Sequence, residues 1–536
     1  MQLGLDTVRH EGYGTGMTAT AVAPRLAQIN PATLETVAEF EIAAPADVER
    51  AVAAARRALP GWAALAPAER AKRLGRLRAL LVERADEIAK TVTRSTGKPL
   101  FESYSSEVVS VAYLVDWFVK NGPKMLRPQK ISYPLVPWSG RRSTIEFRPV
   151  GVAGIISPWN YPFSIPVGES VIALLAGCTV VLKPSEVTPL VGQLVADLFR
   201  EIGLPEGVFQ VVQGPGSTGA ALIDARPDKI SFTGGTSTGR RIMEAAAKHL
   251  IPVVLELGGK DPMIVCRDAN LDRATDAAVW GCFTNSGQVC ASVKRLFVVE
   301  ELAEPFTAEV LRKTKALRMG DPMDPNVDLG SLTCKMQIDR VEEQVRSAER
   351  EGAKLACGGR RREDLGGYHF EPAVFTGVTP TMTVAREEIF GPVLPILRVR
   401  DEEEAVRLAN DSDFGLTASV WTKDLRRGRA LARTIETGTV TLNDATYTHA
   451  LCETPWGGVK KSGFGRAHGH AGLMEFVYPF HINENSSPYR SMWWFPYDTR
   501  TIDVLRAGVR YSCSKGLGKL GALRAMVKHL DFKRLK

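Results

Sequence analysis

Apolar residues recur along this chain with two different periods, and the period changes near residue 150. After Asp47 they fall three and four apart, first at Val48, Val52, Ala55 and Leu59 and then at Leu74, Leu77, Leu81 and Ile88. Such spacing places them on one face of a helix. Asp47 is positioned to cap the first helix, Pro67 suits the first turn of a second, and Gly97 supplies a stop. Phe101 to Lys120 reads as a third helix. From Val152 the pattern becomes short β-branched runs (VAGIIS, TVVLK, VFQVV, KISFT, PVVLE) separated by helix-length stretches. This predicts βα units and a parallel sheet. After Asp261 the alternation resumes with PMIV, a helix from about Leu271, and RLFVV ending at Val299, which predicts a second α/β unit. Between the two regimes, Ile131 to Val150 has two extended runs around Trp138-Ser139-Gly140, a hairpin pattern.

Composition narrows the class. The 536 residues are 44% apolar and 24% charged, ordinary values for a globular chain of about three domains. No CxxC pair occurs among the eight cysteines and no HExxH among the histidines, so no metal site is predicted. His468-Gly469-His470 reads as a polar loop. The cysteines suit free thiols in a reducing compartment. The first residues, Gly- and Thr-rich, are expected to be loose and show no secretory signal. No run of about eighteen apolar residues is present, so no spanning helix is expected.

Charge is unevenly placed. Ser486 to Lys536 carries eleven basic and three acidic residues, which accounts for the whole net charge of +8; the rest of the chain is balanced. The same tail holds an aromatic cluster, Trp493, Trp494, Phe495 and Tyr497, and then leucines and valines interleaved with cations. Aromatic rings beside a polybasic segment suit an anionic membrane surface. Docking on a neighbouring subunit is the competing reading, and nucleic acid is the least favoured.

Candidate chemistry centres on Gly281 to Arg295, GCFTNSGQVCASVKR, with Cys290 as a nucleophile whose thiolate can also leave from a thioester. Lys183-Pro184-Ser185-Glu186 follows the strand TVVL, at the strand end where open α/β sheets bind ligands. The turn Thr233-Gly234-Gly235-Thr236, running on to Gly239, precedes a helix and offers backbone N–H groups to a pyrophosphate.

Together with SPWNYPF at Ser157 to Phe163, LELGGKDP at Leu255 to Pro262 and EEIFGP at Glu387 to Pro392, these motifs resemble those of the NAD(P)-dependent aldehyde dehydrogenase family. The resemblance runs from about Pro24 to about Ile482. It implies a Rossmann-like cofactor domain (24–130 and 150–261), a second α/β catalytic domain (262–448) and a β-hairpin oligomerisation arm (131–149 and 475–485), between an N-terminal extension (1–23) and the tail (486–536). It implies Cys290 as nucleophile, Asn160 as oxyanion donor and Glu256 as the base that activates water, hence release of a free acid. It assigns Trp159, Lys183, Ser185, Glu186, Gly234, Gly235, Thr236, Gly239, Leu257, Glu388 and Phe390 to the cofactor. Glu186 would repel a 2′-phosphate, which favours NAD over NADP. Gly235 replaces the usual serine of the phosphate turn, and Glu169 stands where some members carry a relay lysine. Asn443 and Pro455 to Arg466 match a loop that closes the substrate mouth. A homodimer or homotetramer is expected, although the residues alone also suit an edge hairpin of a single subunit. The expected setting is cytoplasmic, with the tail as a peripheral contact on the inner face of a membrane. The expected substrate is a medium- or long-chain or other apolar aldehyde, with a semialdehyde as the alternative; a membrane-tethered non-catalytic binding protein on the same fold would be indicated by loss of Cys290, Glu256 or Asn160, and all three are present.

Overall fold

The computed structural model describes residues 25–131, 141–491 and 494–530. The N-terminal extension, the turn Trp138-Ser139-Gly140 and Trp493 of the aromatic cluster therefore lie outside the described residues. Two parallel sheets with helices packed on them form the body, an α/β architecture. The first sheet has the order Gly463–Phe464, Val253–Glu256, Lys229–Thr233, Val152–Ile156, Thr179–Lys183, Phe209–Val211. Its last five strands are parallel, and Gly463–Phe464 runs antiparallel to Val253–Glu256. All five residues of Val152–Ile156 and of Thr179–Lys183 are buried, as expected for central strands covered on both faces. The chain leaves the Val152–Ile156 strand in one direction and returns on its other side at Lys229–Thr233. This reversal is the switch point where such sheets open a ligand crevice.

The second sheet orders Lys354–Cys357, Ala373–Thr376, Val393–Val399, Val293–Val299, Asp261–Val265, Thr417–Trp421 and Thr439–Leu442, parallel except for its first pair. Only Leu257-Gly258-Gly259-Lys260 separates the end of a strand in one sheet from the start of a strand in the other. A three-stranded antiparallel sheet stands apart, with Arg141–Pro149 between Val477–Asn485 and Gln129–Ile131.

Several local expectations are corrected. Asp47 lies in the first turn of the helix Pro45–Ala63, not at its cap, and its carboxylate accepts the Ala44 N–H at 2.8 Å. The single helix expected before Gly97 is three, Pro67–Leu74, Leu77–Glu83 and Ala85–Thr96, of which Gly97 in the left-handed conformation ends the last. The third expected helix runs from Leu100 to Met125 and contains a π-helical stretch, Ser103–Val109. A hairpin of Arg25–Ile29 and Thr36–Glu41 was not anticipated by the periodicity. No helix among the described residues is long and apolar enough to cross a membrane.

Candidate active site

Cys290 is presented by a constrained loop. The helix Leu271–Phe283 ends in a turn in which Asn285 and Ser286 both have φ of 52° and Gly287 has 72°. The Glu102 carboxylate holds this turn by accepting from Thr284 Oγ1 at 2.8 Å and from the Asn285 N–H at 2.9 Å. A Cβ on Gly287 would lie 2.2 Å from the Gly391 carbonyl oxygen, so only glycine fits. Gln288 is fully buried, its Oε1 accepting the Thr333 N–H and its Nε2 donating to the Asn285 carbonyl, each at 3.0 Å. Gly259, in the link between the sheets, lets the Cys290 carbonyl approach: a Cβ there would sit 2.4 Å from that oxygen. Burial pushes the Cys290 thiol up, and the carboxylates of Asp261, Glu256 and Glu388 push it further.

Asn160 follows the Val152–Ile156 strand and is buried beside the same loop. Its Nδ2 donates to the Gln288 carbonyl at 2.9 Å. Its own carbonyl accepts from Asn285 Nδ2 at 3.0 Å and from Lys98 Nζ at 2.8 Å. Lys98 is in turn paired with Glu107 at 2.7 Å, and both side chains are fully buried. The second Glu107 oxygen accepts the Phe163 and Ser164 N–H groups, at the N-terminus of the helix Ser164–Ala176, where a carboxylate is favoured. Lys98, Glu107, Glu102 and Asn285 thus fix Asn160 and the Cys290 loop to one another.

Glu256 ends the strand Val253–Glu256 and is the register partner of Thr233. Neither of its carboxylate oxygens has a hydrogen-bond partner among the described residues. Burial raises its pKa well above the usual carboxylate range, and Glu169 raises it further. Glu169, pushed up to about 7 by burial, accepts from Thr233 Oγ1 at 3.1 Å. Cys290, Glu256, Glu169, Trp456, His449 and His468 line one cavity of about 390 Å³.

The residues assigned to the cofactor gather at the switch point. Lys183 Nζ and Glu186 Oε2 are 2.8 Å apart at one strand end. Gly235 caps the helix Thr236–Ala247, and a Cβ there would meet nothing within 4 Å, so the backbone is open to a phosphate and a serine would also fit. Gly239 and Leu257 are in close contact, a Cβ on Gly239 falling 2.6 Å from the Leu257 side chain. Across the crevice Trp159 and Phe390 meet edge to face with centroids 5.4 Å apart. Glu388 accepts the Gly259 N–H at 3.3 Å, and a Cβ on Gly258 would strike its carboxylate at 2.3 Å. Thr236 directs its hydroxyl to the Lys461 carbonyl at 3.4 Å, and Ser185 accepts from the Val187 N–H at 3.2 Å. A cradle of glycines, a free helix N-terminus and a lysine–glutamate pair fit a dinucleotide.

The profile of the aldehyde dehydrogenase family matches residues 18–482. The chain belongs to the aldehyde dehydrogenase family. It is 43% identical over 473 residues to a 4,4'-diapolycopene aldehyde oxidase of Methylomonas sp, covering 88% of each chain. It is 41% identical over 451 residues to a betaine aldehyde dehydrogenase of Cereibacter sphaeroides, covering 84% of this chain and 91% of that one. The structure of betaine aldehyde dehydrogenase from Staphylococcus aureus in complex with NAD+ superposes with a TM-score of 0.84 at 34% identity, covering 88% of this chain and 94% of that chain.

Asn443, with φ of 56°, ties Thr422, accepting its N–H and donating to its carbonyl, both at 2.9 Å. One expectation changes. His468 does not sit in a polar loop. It is buried, with its ring 4.6 Å from that of His449, which meets Trp456 at 5.0 Å. Burial lowers His449 to about 4 and His468 well below its usual value, so both are neutral at physiological pH. Among the described residues no group of three or more His, Cys, Asp or Glu could hold a metal.

Proposed function

We propose that this member of the aldehyde dehydrogenase family oxidises an apolar aldehyde to its carboxylic acid with NAD, through a thioester on Cys290. The observation that carries the reading is that Cys290 and Glu256 face one cavity in which neither Glu256 oxygen has a hydrogen-bond partner among the described residues. The Cys290 thiol gives its proton to solvent water, and the thiolate adds to the carbonyl carbon to form a thiohemiacetal. Asn160 Nδ2 turns from the Gln288 carbonyl to the oxyanion, a donor worth about 3 kcal/mol in the transition state. Bound NAD supplies the hydride acceptor. The thioester then takes up water, whose proton passes to Glu256, and the Cys290 thiolate leaves as the acid forms. Lys183 and Glu186 bind the adenosine ribose, the turn at Gly234, Gly235, Thr236 and Gly239 the pyrophosphate, and Glu388 and Phe390 the nicotinamide end. The exposed Glu186 carboxylate supports NAD over NADP.

Ile165, Leu257 and Trp456 give the cavity apolar walls. Its lining includes no lysine or arginine, and its two histidines are neutral, which disfavours a semialdehyde carboxylate. The relative that acts on a diapolycopene aldehyde suits the same apolar reading. The three-stranded sheet is the arm of a homodimer or homotetramer, and the protein is cytoplasmic with its C-terminal segment against the inner face of a membrane. NADH formation on a panel of short- and long-chain aldehydes, betaine aldehyde and succinate semialdehyde tests the substrate class. Highest kcat/KM is expected for the long chains, with NAD preferred to NADP; best turnover of a charged aldehyde, or equal use of both cofactors, would overturn those readings.

A further inference from the structure

Past residue 482, where the family match ends, the chain forms an additional element. Helices Thr499–Cys513 and Leu517–His529 fold back on one another around a turn at Gly516, with φ of 54°. Asp498 caps the first helix by accepting the Thr501 N–H at 2.7 Å. Asp503 pairs with Arg506 at 3.0 Å and lies 4.0 Å from His529 of the second helix. The seam between the helices is thin, with Val504, Ala507 and Ala522 as its buried apolar residues.

Six of the larger apolar side chains point outward, while Leu523 and Met526 are half-buried. Ile502, Leu505 and Val509 recur at i, i+3 and i+7, forming one exposed stripe on the first helix. Leu517, Leu520 and Val527 are exposed on the second, Leu517 at 85% and Leu520 at 60%. Trp494, Phe495 and Tyr497 stand exposed just before the hairpin. A two-helix element that turns alanines in and leucines out has its apolar surface arranged for something other than its own core.

Charge selects what that something is. Residues 499–530 hold seven lysines and arginines and one acidic residue. The chain before residue 486 has equal numbers of basic and acidic residues, so the body of a second copy carries no net negative charge to draw the hairpin. Nucleic acid would satisfy the cations and leave the leucines and rings in water. Anionic headgroups over hydrocarbon satisfy both. We infer that the hairpin Thr499–His529, with the aromatic residues before it, is a peripheral docking element for an anionic lipid bilayer, inserting Leu505, Val509, Leu517 and Leu520 among the acyl chains while Arg506, Arg510, Lys515 and Lys519 meet the headgroups. This gives a structural form to the membrane location proposed above, and an apolar aldehyde dissolved in the bilayer reaches the enzyme there.

The test is sedimentation of the full-length chain with vesicles of phosphatidylglycerol and phosphatidylcholine, and with phosphatidylcholine alone. A triple variant, Leu505→Glu, Val509→Glu and Leu520→Glu, is compared at exposed positions, so that the seam is left intact. Turnover of a water-soluble aldehyde is measured on every preparation. The expected result is binding to anionic vesicles that falls with salt and weakens by about tenfold or more in the variant, with turnover unchanged. Wild-type protein that stays in the supernatant overturns the inference, as does a variant that binds equally well. So does wild-type protein that prefers duplex DNA to vesicles, or one whose association state falls to that of a smaller oligomer when the stripe is charged. Failure to bind with turnover intact removes the docking element alone, whereas binding without turnover of any aldehyde removes the catalytic reading alone.

Discussion

Adjacent glycines in the link between the sheets make opposite demands, and alanine at each should fail differently. At Gly259 the new Cβ would lie 2.4 Å from the Cys290 carbonyl oxygen, 2.8 Å from Asp261 Oδ1 and 3.3 Å from Leu416 Cβ. A comfortable carbon–oxygen contact is about 3.3 Å, so backbone must move by about 1 Å. That overpacking costs about 1–3 kcal/mol. Because the displaced group is the nucleophile's own backbone, a shift of this size is expected to lower kcat/KM by about 100-fold. At Gly258 the Cβ would meet only the end of the Glu388 side chain, at 2.3–2.5 Å. A carboxylate can swing aside at little cost in stability, but it gives up the Gly259 N–H, a bond to a charged group worth about 1.5–3 kcal/mol at good geometry and less at 3.3 Å. The Gly258→Ala variant should lose less stability than Gly259→Ala and show an NAD KM raised about tenfold. Denaturant unfolding, NAD titration and the amplitude of the first NADH burst separate the two. A Gly259→Ala variant with wild-type stability and burst, or a Gly258→Ala variant that unfolds as easily as Gly259→Ala, would refute the reasoning.

Glu256→Gln should leave a rapid NADH burst and slow the steady state, read by stopped-flow absorbance; loss of the burst with NAD still bound would place Glu256 earlier in the reaction. Burial, and then Glu169, raise the Glu256 pKa, so the base ionises and deacylation speeds up only as pH rises. Removing the second charge by Glu169→Gln should move that acid limb to lower pH, and an unmoved limb would show that Glu169 does not act on Glu256. Lys98→Met leaves Glu107 buried without its cation and should cost about 3–5 kcal/mol in urea unfolding, more than a solvent-exposed pair could; a loss below about 1 kcal/mol would contradict the pair's role.

Local patterns carried most of the fold. The β-branched runs from Val152 to Glu256 read directly as strands because both faces of the parallel sheet are buried. Helix boundaries were less legible: Gly97 marks a true end, but nothing in the periodicity between Leu74 and Ala85 shows the breaks that tertiary packing introduces. At the site, motifs pointed to Cys290, Asn160 and Glu256, and the glycines near two of them, Gly287 before Cys290 and Gly258-Gly259 after Glu256, have a steric purpose. The supports were invisible. Lys98, Glu107 and Glu102 precede Asn160 by more than fifty residues and carry no motif, and only folding sets them around it. His468 reads as a loop because Gly469 and a second histidine, His470, follow it, whereas in the fold it is buried against His449 from a separate segment. Glu169 stands out in the sequence only as a departure from a relay lysine; its bond to Thr233 joins the helix Ser164–Ala176 to the end of the strand Lys229–Thr233.

The most direct test of the proposed chemistry is the mass of the intact Glu256→Gln protein, quenched in acid within the first turnover of aldehyde and NAD. An increase equal to the acyl group, located on Cys290 by peptide mapping and absent from Cys290→Ala, is the predicted result. NADH formed without any adduct on Cys290, or turnover retained by Cys290→Ala, would contradict it.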